Sequence, residues 1–132
     1  MSKLVVLDAS AVLAMLNEEP GAERVQAALA YAAIGAVNLA EVVTKLRGDG
    51  LSQAEADEVV GLFQLDVRPL TAKQAIAIGH LRPVTRELGL SLGDRACLAL
   101  AAELGATALT ADRDWAELDQ AISGEGVVEL IC

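Results

Sequence analysis

The chain has 132 residues, 54% of them hydrophobic and only 2% aromatic, with 19 acidic against 10 basic residues and a formal net charge of −9. That length suits one domain, spanning 1–132, with a sizeable core of Ala, Leu and Val. The charge argues against non-specific nucleic-acid binding, and no apolar run approaches the roughly 18 residues of a membrane span.

Lys3 to Asp8 reads as a short buried strand, continuous and β-branched. Asp8 interrupts this apolar stretch too early for a secretion signal, so the expected location is cytoplasmic. Ser10 is the expected N-cap of a helix reaching Asn17. Glu18-Glu19-Pro20-Gly21 breaks the chain, and Pro20 is placed to open a helix over Ala22 to Tyr31. Ile34 to Val37 reads as a second strand, after which Asn38 is expected to cap a helix to about Arg47. Gly48-Asp49-Gly50 is a turn.

Ser52 to Gln64 is amphipathic, with Ala56, Val59, Val60 and Phe63 at helical spacing. Asp66 to Leu70 predicts a third strand. Thr71 and Gln74 have capping-box spacing at the head of a helix over Ala72 to His80. Pro83 is expected to kink this helix or split it from a second piece ending near Gly89. Ser91 caps a helix over Leu92 to Leu104, which Gly105 stops. Ala106 to Thr110 is a fourth strand, a turn around Trp115 comes next, and Gly126 to Ile131 is the last strand. Strands alternating with helices imply an α/β fold: a mostly parallel sheet of four to five strands flanked by helices.

Four acids fall at corresponding places in this pattern. Asp8 and Asp112 follow strands, while Glu41 and Asp94 lie in the first turns of helices. Each has an ordinary explanation. Asn38 with Glu41, and Ser91 with Asp94, have the spacing of an N-cap and its partner, and first-turn acids suit the helix dipole. Asp112 can be a turn acid, with Asp114 its rival. Asp8 is hardest to dismiss, because a partly buried, unpaired carboxylate is costly. Capping does not explain all four together. Strand C-termini and the helix starts after them share one edge of a parallel sheet, where ligands bind. Carboxylates gathered there repel one another unless a cation neutralises them, and oxygen ligands suit magnesium or manganese. Such an ion would reverse the local charge and admit a phosphodiester despite the net charge of −9.

Other features carry less. Cys97 sits in an apolar helical pattern and Cys132 ends the chain, so no disulfide is expected. His80, the single histidine, lies away from the acids and reads as an ordinary side chain. Lys45 with Arg47, and Arg82 with Arg86, form small basic faces that solvent or a partner can occupy. Arg95 and Arg113 flank site acids. There is no GxGxxG run or P-loop, so no nucleotide cofactor is expected. A phosphoacceptor domain would need a lysine after a late strand, and none is present.

Taken in order, Leu7-Asp8-Ala9-Ser10-Ala11, Asn38-Leu39-Ala40-Glu41-Val42, Leu92-Gly93-Asp94-Arg95-Ala96-Cys97-Leu98-Ala99-Leu100-Ala101 and Leu109-Thr110-Ala111-Asp112-Arg113-Asp114-Trp115 resemble the PIN domain family, and within it the VapC-type toxins of bacterial toxin–antitoxin pairs. The resemblance covers essentially the whole chain. It implies a Rossmann-like PIN fold and a magnesium-dependent endoribonuclease. Such an enzyme hydrolyses RNA with a metal-activated water and leaves a 5′-phosphate and a 3′-hydroxyl. By motif match Asp8, Glu41, Asp94 and Asp112 form the metal-binding and catalytic set, with Asp8 and Asp94 as direct ligands. Ser10 and Thr110 support the site. Trp115 stands where the family commonly has a phenylalanine and reads as core. The resemblance further implies a homodimer and a cognate antitoxin, with Ala22 to Tyr31 and Ser52 to Gln64 as a candidate groove for its basic arm. The alternative is a PIN-fold module that binds RNA or protein without cleaving.

Overall fold

The computed structural model describes residues 4–118 and 128–132. Five strands, β1 (Val5–Leu7), β2 (Ala32–Gly35), β3 (Asp66–Arg68), β4 (Thr107–Thr110) and β5 (Val128–Leu130), make one sheet in the order β3-β2-β1-β4-β5. All four pairings are parallel, with Val6 opposite Ala33 on one side and Ala108 on the other. Parallel neighbours need long crossovers. These are supplied by α1 (Ala9–Leu16), α2 (Ala22–Ala28), α3 (Ala36–Gly48), α4 (Gln53–Leu62), α5 (Ala72–His80), α6 (Arg82–Thr85) and α7 (Leu92–Leu104).

The two-residue period of β1 divides the core. Val5 and Leu7 pack with Val12, Val25 and Ile34 on one face, while Val6 packs with Cys97, Leu100 and Trp115 on the other. Trp115 is fully buried, as its place in the pattern predicts, and Cys97 and Cys132 are free thiols, one buried and one exposed. Strand order reverses between β1 and β4, which creates a crevice at their C-terminal ends. No helix among the described residues is long and apolar enough to cross a membrane.

Several boundaries depart from the sequence reading. β2 runs over Ala32–Gly35 rather than Ile34 to Val37, and Val37 enters the first turn of α3. Alanine favours helix on its own, so only pairing with β1 and β3 identifies Ala32 and Ala33 as strand. Asn38 is therefore inside α3, whose N-cap is Gly35, and Glu41, expected in the first turn, falls in the second. Ser10 is likewise inside α1, with Asp8 at the N-cap. The α-helix expected to reach Tyr31 ends at Ala28 and closes with a 3-10 turn over Leu29–Tyr31. Pro20 does not open α2. Gly21 does, at φ 97°, where a Cβ would also overlap Ile131. β3 ends at Arg68. Pro83 splits its helix, giving α6 and a 3-10 turn over Arg86–Leu88 that ends at Gly89. The expected first residue of β1, Lys3, and of β5, Gly126, lie outside the described residues.

Candidate active site

Asp8 leaves β1 with its backbone N–H still donating to Leu109 O at 2.9 Å, so the sheet fixes its position. It occupies the N-cap of α1, yet its side chain makes no capping bond. The carboxylate instead turns toward β4. Its Oδ2 accepts from Ser10 Oγ at 2.6 Å and from Thr110 Oγ1 at 3.0 Å. These hydroxyls lie 3.0 Å apart, and Ser10 Oγ also accepts from the Ala111 N–H at 3.0 Å. Asp8 is 3% exposed. Burial pushes its pKa up to about 6 from 3.8; the two hydroxyl bonds oppose the rise, and the charges of Asp94 and Glu41 add to it.

Glu41 and Asp94 reach the crevice from α3 and α7. Asn38 Nδ2 donates to Glu41 Oε1 at 2.9 Å and to Gly93 O at 3.0 Å, so one buried amide ties α3 to α7. Glu41 is half-buried, and burial raises its pKa; the Asn38 bond opposes this and the Asp94 charge reinforces it. Asp94 does cap its helix. Its N–H donates to Ser91 Oγ at 3.1 Å, and its Oδ2 accepts from the Ser91 N–H at 2.9 Å. Capping and a place at the crevice coexist there, because one carboxylate oxygen serves the helix and the other is left over.

Asp112 joins through backbone, its N–H donating to Thr110 Oγ1 at 3.1 Å. Its carboxylate Oδ1 accepts from the Asp114 N–H at 2.9 Å, which starts the 3-10 turn over Arg113–Glu117. Asp112 is half-buried and Asp114 exposed. The fold thus brings Asp8, Glu41 and Asp94 within reach of one another's charge. Asp112 lies one hydroxyl further out, and Asp114 points to no site contact among the described residues.

Two residues contribute that the acid pattern did not single out. A Cβ at Gly93 would run into the Glu41 carboxylate, so glycine leaves room for this placement of the Glu41 side chain against α7. The signal was a glycine, a poor helix former, in the first turn of α7. Cys97 lies beneath the acids. Burial pushes its thiol well up, and the Asp8, Asp94 and Glu41 charges add to the rise.

The crevice offers carboxylate and hydroxyl oxygens, donors for a hard cation such as magnesium or manganese rather than for zinc. Among the described residues no three carboxylate, imidazole or thiol groups form a ready ligand cage. Magnesium commonly binds one or two carboxylates and keeps several waters. Asp8 with one acid from a helix start meets that requirement.

The PIN domain family model matches residues 5–121. No curated protein matches the sequence. VapBC2 from Rickettsia felis, bound to a DNA fragment from its promoter, has a chain of similar structure, with a TM-score of 0.73 at 16% identity over 96% of this chain and 98% of that one. DNA-bound VapBC from Salmonella typhimurium gives 0.70 at 21% identity, over 98% and 99%. A toxin–antitoxin complex from Klebsiella pneumoniae gives 0.69 at 20%, over 97% and 98%. At such identities the likeness carries the fold.

Proposed function

The chain belongs to the PIN domain family, and from that premise we propose that it is a magnesium- or manganese-dependent endoribonuclease, the toxin of a type II toxin–antitoxin pair. One observation carries the reading. Asp8 is buried at the switch-point crevice with Glu41 and Asp94 close enough to raise its pKa. A fold gains no stability from that arrangement, whereas a cation site requires it.

Asp8 and Asp94 are the proposed ligands. Glu41, aimed by Asn38, positions the ion or its water, and Asp112 acts from an outer position. Ser10 and Thr110 hold Asp8 in one orientation, so that no rearrangement is needed on binding. Asp114 sets the turn that carries Asp112. When bound, the cation supplies a polarised phosphoryl oxygen and a more acidic water. The side chains orient these groups against RNA.

The solved neighbours are toxin–antitoxin assemblies by their descriptions, which supports an antitoxin as the partner. α2 and α4 pack on the same core cluster, and α4 exposes Glu55, Asp57 and Glu58, a surface suited to a basic inhibitory arm. A homodimer in the cytoplasm belongs to the same reading.

The test is purified protein with RNA. Cleavage to 5′-phosphate ends is expected with magnesium or manganese, stopped by chelator and absent in a folded Asp8→Asn variant. Cleavage that persists in Asp8→Asn or in chelator overturns the cation mechanism. No cleavage with any cation leaves a binding module.

A further inference from the structure

We propose that the segment joining α5 to α7 is where this protein holds the RNA backbone, with Arg82 and Arg86 as phosphate contacts. The inference rests on the ribonuclease reading and adds the surface that an acidic enzyme needs to hold a polyanion.

Charge distribution is the first observation. Between residues 69 and 93 the chain carries Lys73, Arg82 and Arg86 against Glu87 alone, so this stretch is +2 in a chain of −9. Three cations elsewhere are paired, Arg24 with Glu129 at 2.6 Å, Lys45 with Asp49 at 3.3 Å and Arg68 with Asp66 at 3.0 Å, while Arg47, at the end of α3, and Arg113, beside Asp112, are exposed and stand singly rather than as a cluster. Arg82 and Arg86 are exposed and form no ion pair among the described residues.

Placement is the second. α5 and α7 lie antiparallel, because Gln74 Nε2 at the start of α5 donates to Glu103 at the end of α7 at 2.7 Å. At the other end, Arg95 Nη1 in the first turn of α7 donates to Ile78 O in the last turn of α5 at 3.1 Å. The end of α5, and α6 after it, therefore stand beside the helix start that carries Asp94. Arg95 is half-buried and spent on this brace, so the open cations on the α5–α7 side of the rim are Arg82 and Arg86, with Arg113 exposed on the β4 side. The segment is also anchored: Thr85 is fully buried, and Leu81 and Leu88 on either side of it pack against the core.

The chemistry selects the ligand. Guanidinium groups match phosphate, and their spacing of four residues sets two on one short stretch. No Phe, Tyr or Trp is present in residues 69–93, and Trp115 is buried, so the stretch offers no large stacking platform for bases. The contact is to backbone and carries no base preference. A basic inhibitory arm would be repelled by this surface. Neither Arg82 nor Arg86 lies in the last turn of α5, where the helix dipole would favour a cation, so that role does not account for them.

The experiment measures binding of a fluorescent single-stranded RNA to the Asp8→Asn protein, which leaves the probe intact, over a series of salt concentrations. Arg82→Gln with Arg86→Gln is expected to weaken binding on the order of tenfold at low salt and to reduce the log–log salt slope by about 1.4, at 0.7 per phosphate contact. Lys45→Gln with Arg47→Gln, the same charge removed from the far end of α3, should change both much less. Equal losses in the two pairs would show a net-charge effect and overturn the assignment. Unchanged RNA binding with an altered sedimentation mass would make the surface a protein contact and also overturn it. If the wild-type protein cleaves RNA while the Arg82 and Arg86 changes have no effect, only this surface assignment fails. If the parent neither binds nor cleaves RNA, the ribonuclease reading fails with it.

Discussion

Asn38–Glu41 and Ser91–Asp94 have the same spacing and the same promise of a capping box, yet the fold treats them differently. At Ser91 and Asp94 both reciprocal bonds form and the acid holds its own helix start. At Asn38 and Glu41 the helix has already begun at Ala36, and the pair is turned sideways, from α3 onto Gly93 of α7. The difference teaches that a local motif specifies a cap only when nothing else fixes where the helix starts. In α3 the preceding strand fixes it. One acid therefore holds its helix start while standing at the crevice, and the other stands at the crevice without capping anything.

The sharpest way to break this contrast is to remove each acid and read two quantities. Glu41→Gln and Asp94→Ala should each lower RNA cleavage by a hundredfold or more, on the order of the loss of one preorganised charged group. Only Asp94→Ala should also lower stability, by about 1 kcal/mol, the usual cost of a lost cap. Equal melting temperatures for the two variants would erase the distinction.

The next test uses the charge cost of the acids that cap nothing. The Asp8 carboxyl is raised to about 6 in the folded chain, and Glu41 is raised as well. Below about pH 4 Asp8 is neutral in both the folded and unfolded chain, and it costs nothing. As pH climbs through the interval up to about 6, the folded form binds more protons than the unfolded one, so stability falls. Above it the full Asp8 cost is present, about 3 kcal/mol. Thermal melts in chelator should show this decline. Asp8→Asn should flatten it and melt higher than wild type at neutral pH. Added magnesium should raise the wild-type melting temperature more than that of Asp8→Asn. A wild-type curve that is flat between pH 4 and 7 would contradict the burial argument.

Smaller effects sharpen the comparison further. Gly93→Ala places a methyl group against the Glu41 carboxylate, the movable end of its side chain, and should change stability by less than about 1 kcal/mol, since alanine also favours the helix. Its cleavage should fall further than stability alone explains, because Glu41 must move. Ser91→Ala, measured by urea denaturation, should cost about 1 kcal/mol and leave Glu41 where it is. If Gly93→Ala leaves cleavage unchanged, the gap at Gly93 does not set the position of the Glu41 carboxylate.

Much of the fold was legible because hydrophobic period and punctuation are local signals. β4, α5 and α7, with their caps at Thr71 and Ser91 and the stop at Gly105, are set directly by residue order. The departures cluster where alanine is the evidence. Ala32 and Ala33 are strand only because β1 and β3 flank them, and that single shift moved Asn38 from a cap into the interior of α3. For the candidate site, residue types and positions singled out the acids, of which the fold brings Asp8, Glu41 and Asp94 within reach of one another's charge. Sequence did not disclose that Asp8 turns away from its own helix to Ser10 and Thr110, or that Gly93 sets the gap to Glu41.

By itself, then, the amino-acid order determined a βαβ alternation and placed Asp8 and Asp112 at strand ends and Asp94 at a helix start, whereas Glu41 fell one turn further into α3 than its spacing predicts. Spacing along the chain sets these, since each depends on neighbours a few residues away. Tertiary structure alone decided which acids meet. Asp8 and Thr110 are 102 residues apart and touch only because β1 pairs with β4. Glu41 and Gly93 meet only because small side chains let α7 lie close to α3. Contacts between distant stretches depend on register and packing volume, and no local pattern encodes either.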